Sequence, residues 1–216
     1  MLEKKGRGKK TPTKVEKGPL SEAELIELLG PRRDIKLKVE KVFQEMEGTT
    51  SIILKENLKE YNLINIYMIK KFVEDNIPGI YITLNKSLTA LNATLAKEKI
   101  DASKIIFIDA ISRLTGAKEV HGKNFIYVAS PKNLIELNLA IEEAVKNMSA
   151  KKNFIIIDSI STLLVYNKEK SVEKFVHSLT GKMKDWNAQG IFVAVESTSM
   201  DIINTLTQFC DKMISV

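Results

Sequence analysis

Two aspartates stand where a buried strand would present a carboxylate: Asp109 directly after KIIFI, and Asp158 directly after FIII. In an open α/β sheet, ligands gather beyond the carboxyl ends of the strands. A carboxylate there can hold a magnesium ion or its water shell. The same place suits a plainer task, ending the strand and capping the next helix, and that role is expected for Asp109, Asp158 and the adjoining Ser159. A further run, IFVAV, ends in Glu196, Ser197 and Thr198. That trio is either a polar sensor facing a ligand or a cap for a helix starting near Asp201, and the cap is the expectation. Lys55 and Lys59 follow the run at 51–54 but alternate with Glu56 and Glu60, the pattern of a solvated surface.

Other chemistries fail on numbers. With one cysteine (Cys210) and two histidines (His121 and His177), no internal disulfide forms and a structural zinc site is not expected. No Ser-His-Asp or Cys-His pairing can be assembled. His121 beside Gly122 reads as a surface turn and His177 as a helix flank, whereas Phe175, Met183 and Trp186 face a core by their period.

The net charge of +6 is local. Residues 1–18 hold Lys4, Lys5, Arg7, Lys9, Lys10, Lys14 and Lys17 against Glu3 and Glu16, which leaves the remainder almost neutral. This basic tail, taken as residues 1–20, has little to bury and is expected to be disordered. Its cations could follow a nucleic-acid backbone, but it has no aromatic residue to stack on bases. With 44% hydrophobic and 28% charged residues the chain is globular. No apolar run approaches a bilayer span and no apolar leader follows Met1, so a cytoplasmic location is expected.

The elements that must position these residues are legible from Ser51 onward. Short runs rich in Ile and Val occur at 51–54, 79–84, 104–108, 153–157, 190–195 and 212–216. They lack polar alternation, as in a parallel sheet covered on both faces. Helical stripes lie between them: Leu88, Leu91 and Leu95; Leu134 to Met148; and Val172 to Trp186. Alternating strand and helix predicts right-handed crossovers and a three-layer α/β fold. Before Ser51, a short helix is expected from Ser21, closed by Gly30-Pro31. Residues 35–48 read equally as strand (Ile35, Leu37, Val39) or helix (Val39, Val42, Phe43, Met46). The division is therefore a tail (1–20), a helical or linker segment (21–50) and a main domain (51–216).

NFIIIDSISTLLVYN, the helix up to Gly190 and IFVAVEST together resemble the Walker B half of the KaiC-like branch of the RecA superfamily of P-loop ATPases. GIYITLNKSLTALNATLAKEKIDASKIIFIDAIS and HGKNFIYVASPKNLIELNLAIEEAV resemble further segments of that group, in particular its archaeal members. The resemblance spans roughly residues 50–216. It implies a RecA-like fold with a mainly parallel central sheet, and it puts Asp158 at the magnesium position and Glu196 at that of a γ-phosphate sensor.

Set against that pattern, three parts of the ATPase apparatus are missing. Active relatives carry GxxxxGK[ST] after the first strand, where glycines let backbone amides surround the phosphates. Here KENLKEYNLINIYMIKKF follows, and no glycine occurs between Ser51 and Pro78. Glu56 and Glu60 would set negative charge beside a triphosphate. The family's acidic pair after the second strand, the source of a general base, is replaced by Asn85 and Lys86. Further strands that would offer basic residues to a neighbour's nucleotide do not follow Val216. The expectation is a pseudo-ATPase without cofactor, acting as a regulatory or scaffolding partner of an active paralogue or of itself. The alternatives are a nucleotide-binding ATPase using Lys55 or Lys59 with Asp158 and magnesium, and a nucleic-acid binder acting through residues 1–18.

Overall fold

The computed structural model describes residues 30–47, 49–148 and 152–216. The basic tail and the helix expected from Ser21 lie outside them. Of residues 1–34, the described part is the approach to a helix, where the Arg33 amide donates to the Gly30 carbonyl at 2.9 Å. Gly30-Pro31 stands at the opening of another helix, and the helix it was expected to close lies outside the described residues. Pro31 is the first residue of α1 (Pro31–Glu45), a position that tolerates a missing N–H and suits the fixed φ of proline.

The ambiguity at 35–48 resolves as helix. Ile35, Val39, Val42 and Met46 are all buried, a stripe at steps of four, three and four. Leu37, which a strand would have turned the same way as Ile35 and Val39, is half exposed.

Residues 35–216 contain one seven-stranded parallel sheet in the order β4-β3-β2-β5-β6-β1-β7. The strands are β1 (Ser51–Glu56), β2 (Gly79–Thr83), β3 (Ile105–Asp109), β4 (Phe125–Tyr127), β5 (Asn153–Asp158), β6 (Ala188–Val195) and β7 (Lys212–Ser215). The helices after α1 are α2 (Tyr61–Glu74), α3 (Leu88–Lys97), α4 (Ser112–Thr115), α5 (Leu134–Lys146), α6 (Ile160–Tyr166), α7 (Glu169–Asp185) and α8 (Met200–Thr207).

The chain runs outward from β1 to β2, β3 and β4, then returns through β5, β6 and β7. With a constant crossover hand, the outward and return helices must cover opposite faces. They do. Ile52, Leu54, Tyr81 and Ile156 pack with α1, α2 and α3, while Ile53, Ile82, Ile157 and Phe192 pack with α5 to α8. Strand side chains therefore alternate between two buried layers, which is why the strands are apolar at almost every position.

The same alternation sets the site. Glu56, two residues beyond Leu54, and Asp158, two beyond Ile156, extend towards the α2 face at the carboxyl ends of β1 and β5. Between them lies β6, paired to both strands.

Candidate functional site at the carboxyl ends of the strands

The turn from β1 into α2 consists of Asn57, Leu58, Lys59 and Glu60. Its amides face inward. The Lys59 N–H donates to Asn57 Oδ1 at 2.9 Å, and the Glu60 and Tyr61 N–H groups donate to the Asn57 carbonyl at 3.1 and 3.0 Å. A phosphate nest needs such groups converging on open space, usually with glycine supplying the unusual dihedrals. Three of the donors here are already used on Asn57.

Three of the charged residues of this edge have partners. Glu60 is ion-paired with Lys38 of α1, and Lys55 Nζ lies 3.2 Å from Met200 Sδ. Lys59 is exposed. Glu196 does not cap α8, as expected from the sequence. Its carboxylate accepts from Asn57 Nδ2 at 3.2 Å, and its amide donates to the Glu56 carbonyl at 2.9 Å. Ser199 stands at the start of α8 without a side-chain cap, while Thr198 pairs its hydroxyl with Ser161 at 2.7 Å.

Beside α2 lies a polar cluster in which Tyr61, Tyr81, Asp158 and Ser159 are buried and Asn85 is exposed. The Tyr81 hydroxyl donates to Asp158 Oδ2. Asn85 Nδ2 is within 2.7 Å of the Tyr61 hydroxyl, 3.2 Å of Asp158 Oδ1 and 3.4 Å of Ser159 Oγ, and Asn85 Oδ1 accepts from Thr162. Asn85 thus ties the end of β2 to β5, α2 and α6. Ser159 caps α6 by accepting from the Thr162 amide at 3.3 Å, as expected. Asp158 does not cap, and its carboxyl belongs to the cluster. Lys86 stays outside: its amide and carbonyl meet the Thr83 hydroxyl, and partial burial lowers the pKa of its amine.

The electrostatics follow from desolvation. Glu56 is fully buried and neither carboxyl oxygen has a partner among the described residues. Burial, with the Asp158 carboxyl adding to it, pushes its pKa up to about 9. Burial alone pushes Asp158 up to about 8, and it raises Tyr81 above the ordinary phenol range, with Glu56 contributing. Glu56 is therefore not a surface charge near a triphosphate site, as its sequence neighbours suggested; it is an uncharged acid inside the protein at neutral pH. Asn65 of α2 is similarly buried, with both amide atoms unpartnered.

Asp109 has a separate and fully structural environment. Oδ1 accepts from the Ile111 and Ser112 amides at 2.9 and 2.8 Å, and Oδ2 from the Leu88 amide at 2.7 Å and the Ser112 hydroxyl at 2.6 Å. One carboxylate anchors the starts of both α3 and α4.

ATP and magnesium, which the fold class implies, do not fit these residues. The Lys59, Glu60 and Tyr61 amides are taken up on Asn57, Asp158 is held by Tyr81 and Asn85, and Asn85 and Lys86 offer no general base. Among the described residues, no group of three or more metal-ligating side chains converges, and no helix is long and apolar enough to cross a membrane. Of the sequence candidates, Asp158, Ser159 and Asn85 come together. Lys55 and Glu196 lie at the neighbouring β1–β6 edge, and Lys59 and Lys86 join neither group. Sequence reading missed Tyr61, Tyr81, Asn65 and Thr162. The tyrosine inside the apolar run GIYITL was the available signal, because a buried phenol needs a partner.

The fold is a RecA-like three-layer α/β fold. It is similar to the KaiC-like protein PH0186 of Pyrococcus horikoshii OT3, with a TM-score of 0.56 at 17% identity over 77% of this chain and 70% of that one. It is also similar to the uncharacterized protein PH0321 of Pyrococcus horikoshii, solved in complex with an unknown peptide. That match has a TM-score of 0.64 at 10% identity and covers 82% of both chains. No curated protein matches the sequence. Residues 80–216 match a family described as of unknown function (DUF7504), and the chain belongs to that family.

Proposed function

We propose that this chain is a pseudo-ATPase: a RecA/KaiC-like domain that neither holds nor hydrolyses a nucleotide and acts through protein contacts as a regulatory or scaffolding partner. The observation that carries this reading is the β1–α2 turn. Its amides close on Asn57, and it leads into a helix that covers two buried carboxyls instead of an anion. The loss of the acidic pair at Asn85 and Lys86 supports the same reading. That PH0321, with the same fold, was solved with a peptide supports protein contact as the mode of action.

The test is a thermal-shift titration with ATP or ADP plus magnesium. A ligand at a hundred times its dissociation constant adds about 2.7 kcal/mol, or roughly 5–10 °C for a domain of this size. No shift is expected. A shift of that size, with turnover abolished in Asp158→Ala, would establish an ATPase with an unconventional phosphate loop and overturn the proposal.

A further inference from the structure

Helix α5 is apolar on two sides. Leu137, Ile141 and Ala144 are buried against the sheet, yet Ile135 and Leu139, one turn apart on the outer side, are 77% and 58% exposed. At the end of α6, Val165 is 78% exposed. Asn167 there donates to the Pro131 carbonyl at 3.0 Å, which brings that end of α6 to the entry of α5. A surface helix ordinarily wets the side opposite its buried stripe. A contiguous apolar ridge left outside marks a contact surface.

The flanking charges say what covers it. Lys132 precedes the ridge and Glu143 follows Leu139 by one turn. Both are exposed, and neither forms an ion pair among the described residues. Glu142 is already held by Lys182 at 2.5 Å. Lys132, just before α5, stands at one end of the apolar pair and Glu143 at the other, with Lys146 closing the helix one turn beyond. Turned end for end about the point between Ile135 and Leu139, this order meets its own complement: Lys132 faces Glu143, and Ile135 faces Leu139. Self-complementarity under a two-fold is what an isologous contact demands, and an unrelated partner does not require it. We infer that two copies of this chain dimerise through antiparallel α5 helices. The inference goes beyond the proposed function and does not depend on whether a nucleotide binds.

The test is sedimentation equilibrium on the full chain, with a circular-dichroism melt of each variant to confirm folding. The wild type should approach twice the chain mass as concentration rises, and Leu139→Asp should remain monomeric with an unchanged melt. Lys132→Glu and Glu143→Lys should each weaken association by about tenfold, because each reversal affects two symmetric ion pairs. The combined Lys132→Glu/Glu143→Lys variant should recover the wild-type value. A monomer at every concentration would overturn the inference. So would a dimer indifferent to Leu139→Asp, or a double variant weaker than both single ones.

Discussion

Replacing Glu56 by Gln should make the protein more stable, by an amount that depends on pH. The substitution keeps the size and leaves two buried polar atoms, so packing and hydrogen bonding change little. What it removes is the proton. In the unfolded chain Glu56 ionises near 4.5, whereas in the folded protein it does so at about 9. Between those values the native state binds a proton that the unfolded state releases, so wild-type stability falls as pH rises from about 4.5 and levels off above about 9. At pH 7 the interval is about 2.5 pH units at 1.36 kcal/mol each, so Glu56→Gln should gain about 3 kcal/mol. For a domain of this size that is a rise in Tm of roughly 6–12 °C. Near pH 5 the two proteins should melt almost together, and near pH 9 the gap should be widest. Asp158, also raised, gives a slope of the same sign in both proteins, so its own desolvation cancels and only its coupling to Glu56 stays in the difference. Calorimetric melts of both proteins across that range are the assay. A gap that does not change with pH, or a variant less stable than wild type at pH 7, would refute the reasoning.

Two further substitutions probe the scaffold. Asp109→Ala strands four buried donors at the starts of α3 and α4. It should cost about 3–5 kcal/mol in denaturant unfolding, and a loss below about 1 kcal/mol would show that water replaces the carboxylate. A methyl on Gly79 would overlap the ring of Phe154, which is stacked on Phe72 at 4.1 Å, whereas one on Gly190 meets the sulfur end of Met183. Gly79→Ala should therefore cost about 2–3 kcal/mol and Gly190→Ala about 1, because a thioether yields where a stacked ring does not. Equal losses by urea unfolding would contradict that distinction.

The sheet was legible because five of its strands are largely buried on both faces and so appear as Ile/Val-rich runs, with the edge strand β7 read from KMISV. β4 escaped because only three residues, Phe125 to Tyr127, pair with β3, and all three are half-buried. α2 has no clean stripe to read. Buried residues occupy most of its circumference, and Asn65 and Tyr67 sit among them. α1 was ambiguous because Ile35, Leu37 and Val39 alternate as in a strand while Val39, Val42, Phe43 and Met46 repeat as in a helix, and burial decides for the second. Within the site, Asp158 and Asn85 stood out through the resemblance. Glu56 could not be read correctly: its neighbours Lys55, Asn57 and Lys59 mark a surface, and only the inward pleat of β1 sends this one carboxyl into the core. Glu196 failed for a related reason, since its partner Asn57 lies 139 positions away in the chain.

The tight β1–α2 turn also limits what change could do to this protein. Point substitutions alone would not build a phosphate-binding loop, because glycines placed at residues 57–60 would still span only the four residues between β1 and α2. New residues would have to be inserted after Glu56. The lengthened loop would then draw Tyr61 away from Asn85 and uncover two acids adapted to a dry interior. Each of these changes is unfavourable taken singly, so the turn and the acids beneath it hold one another in place.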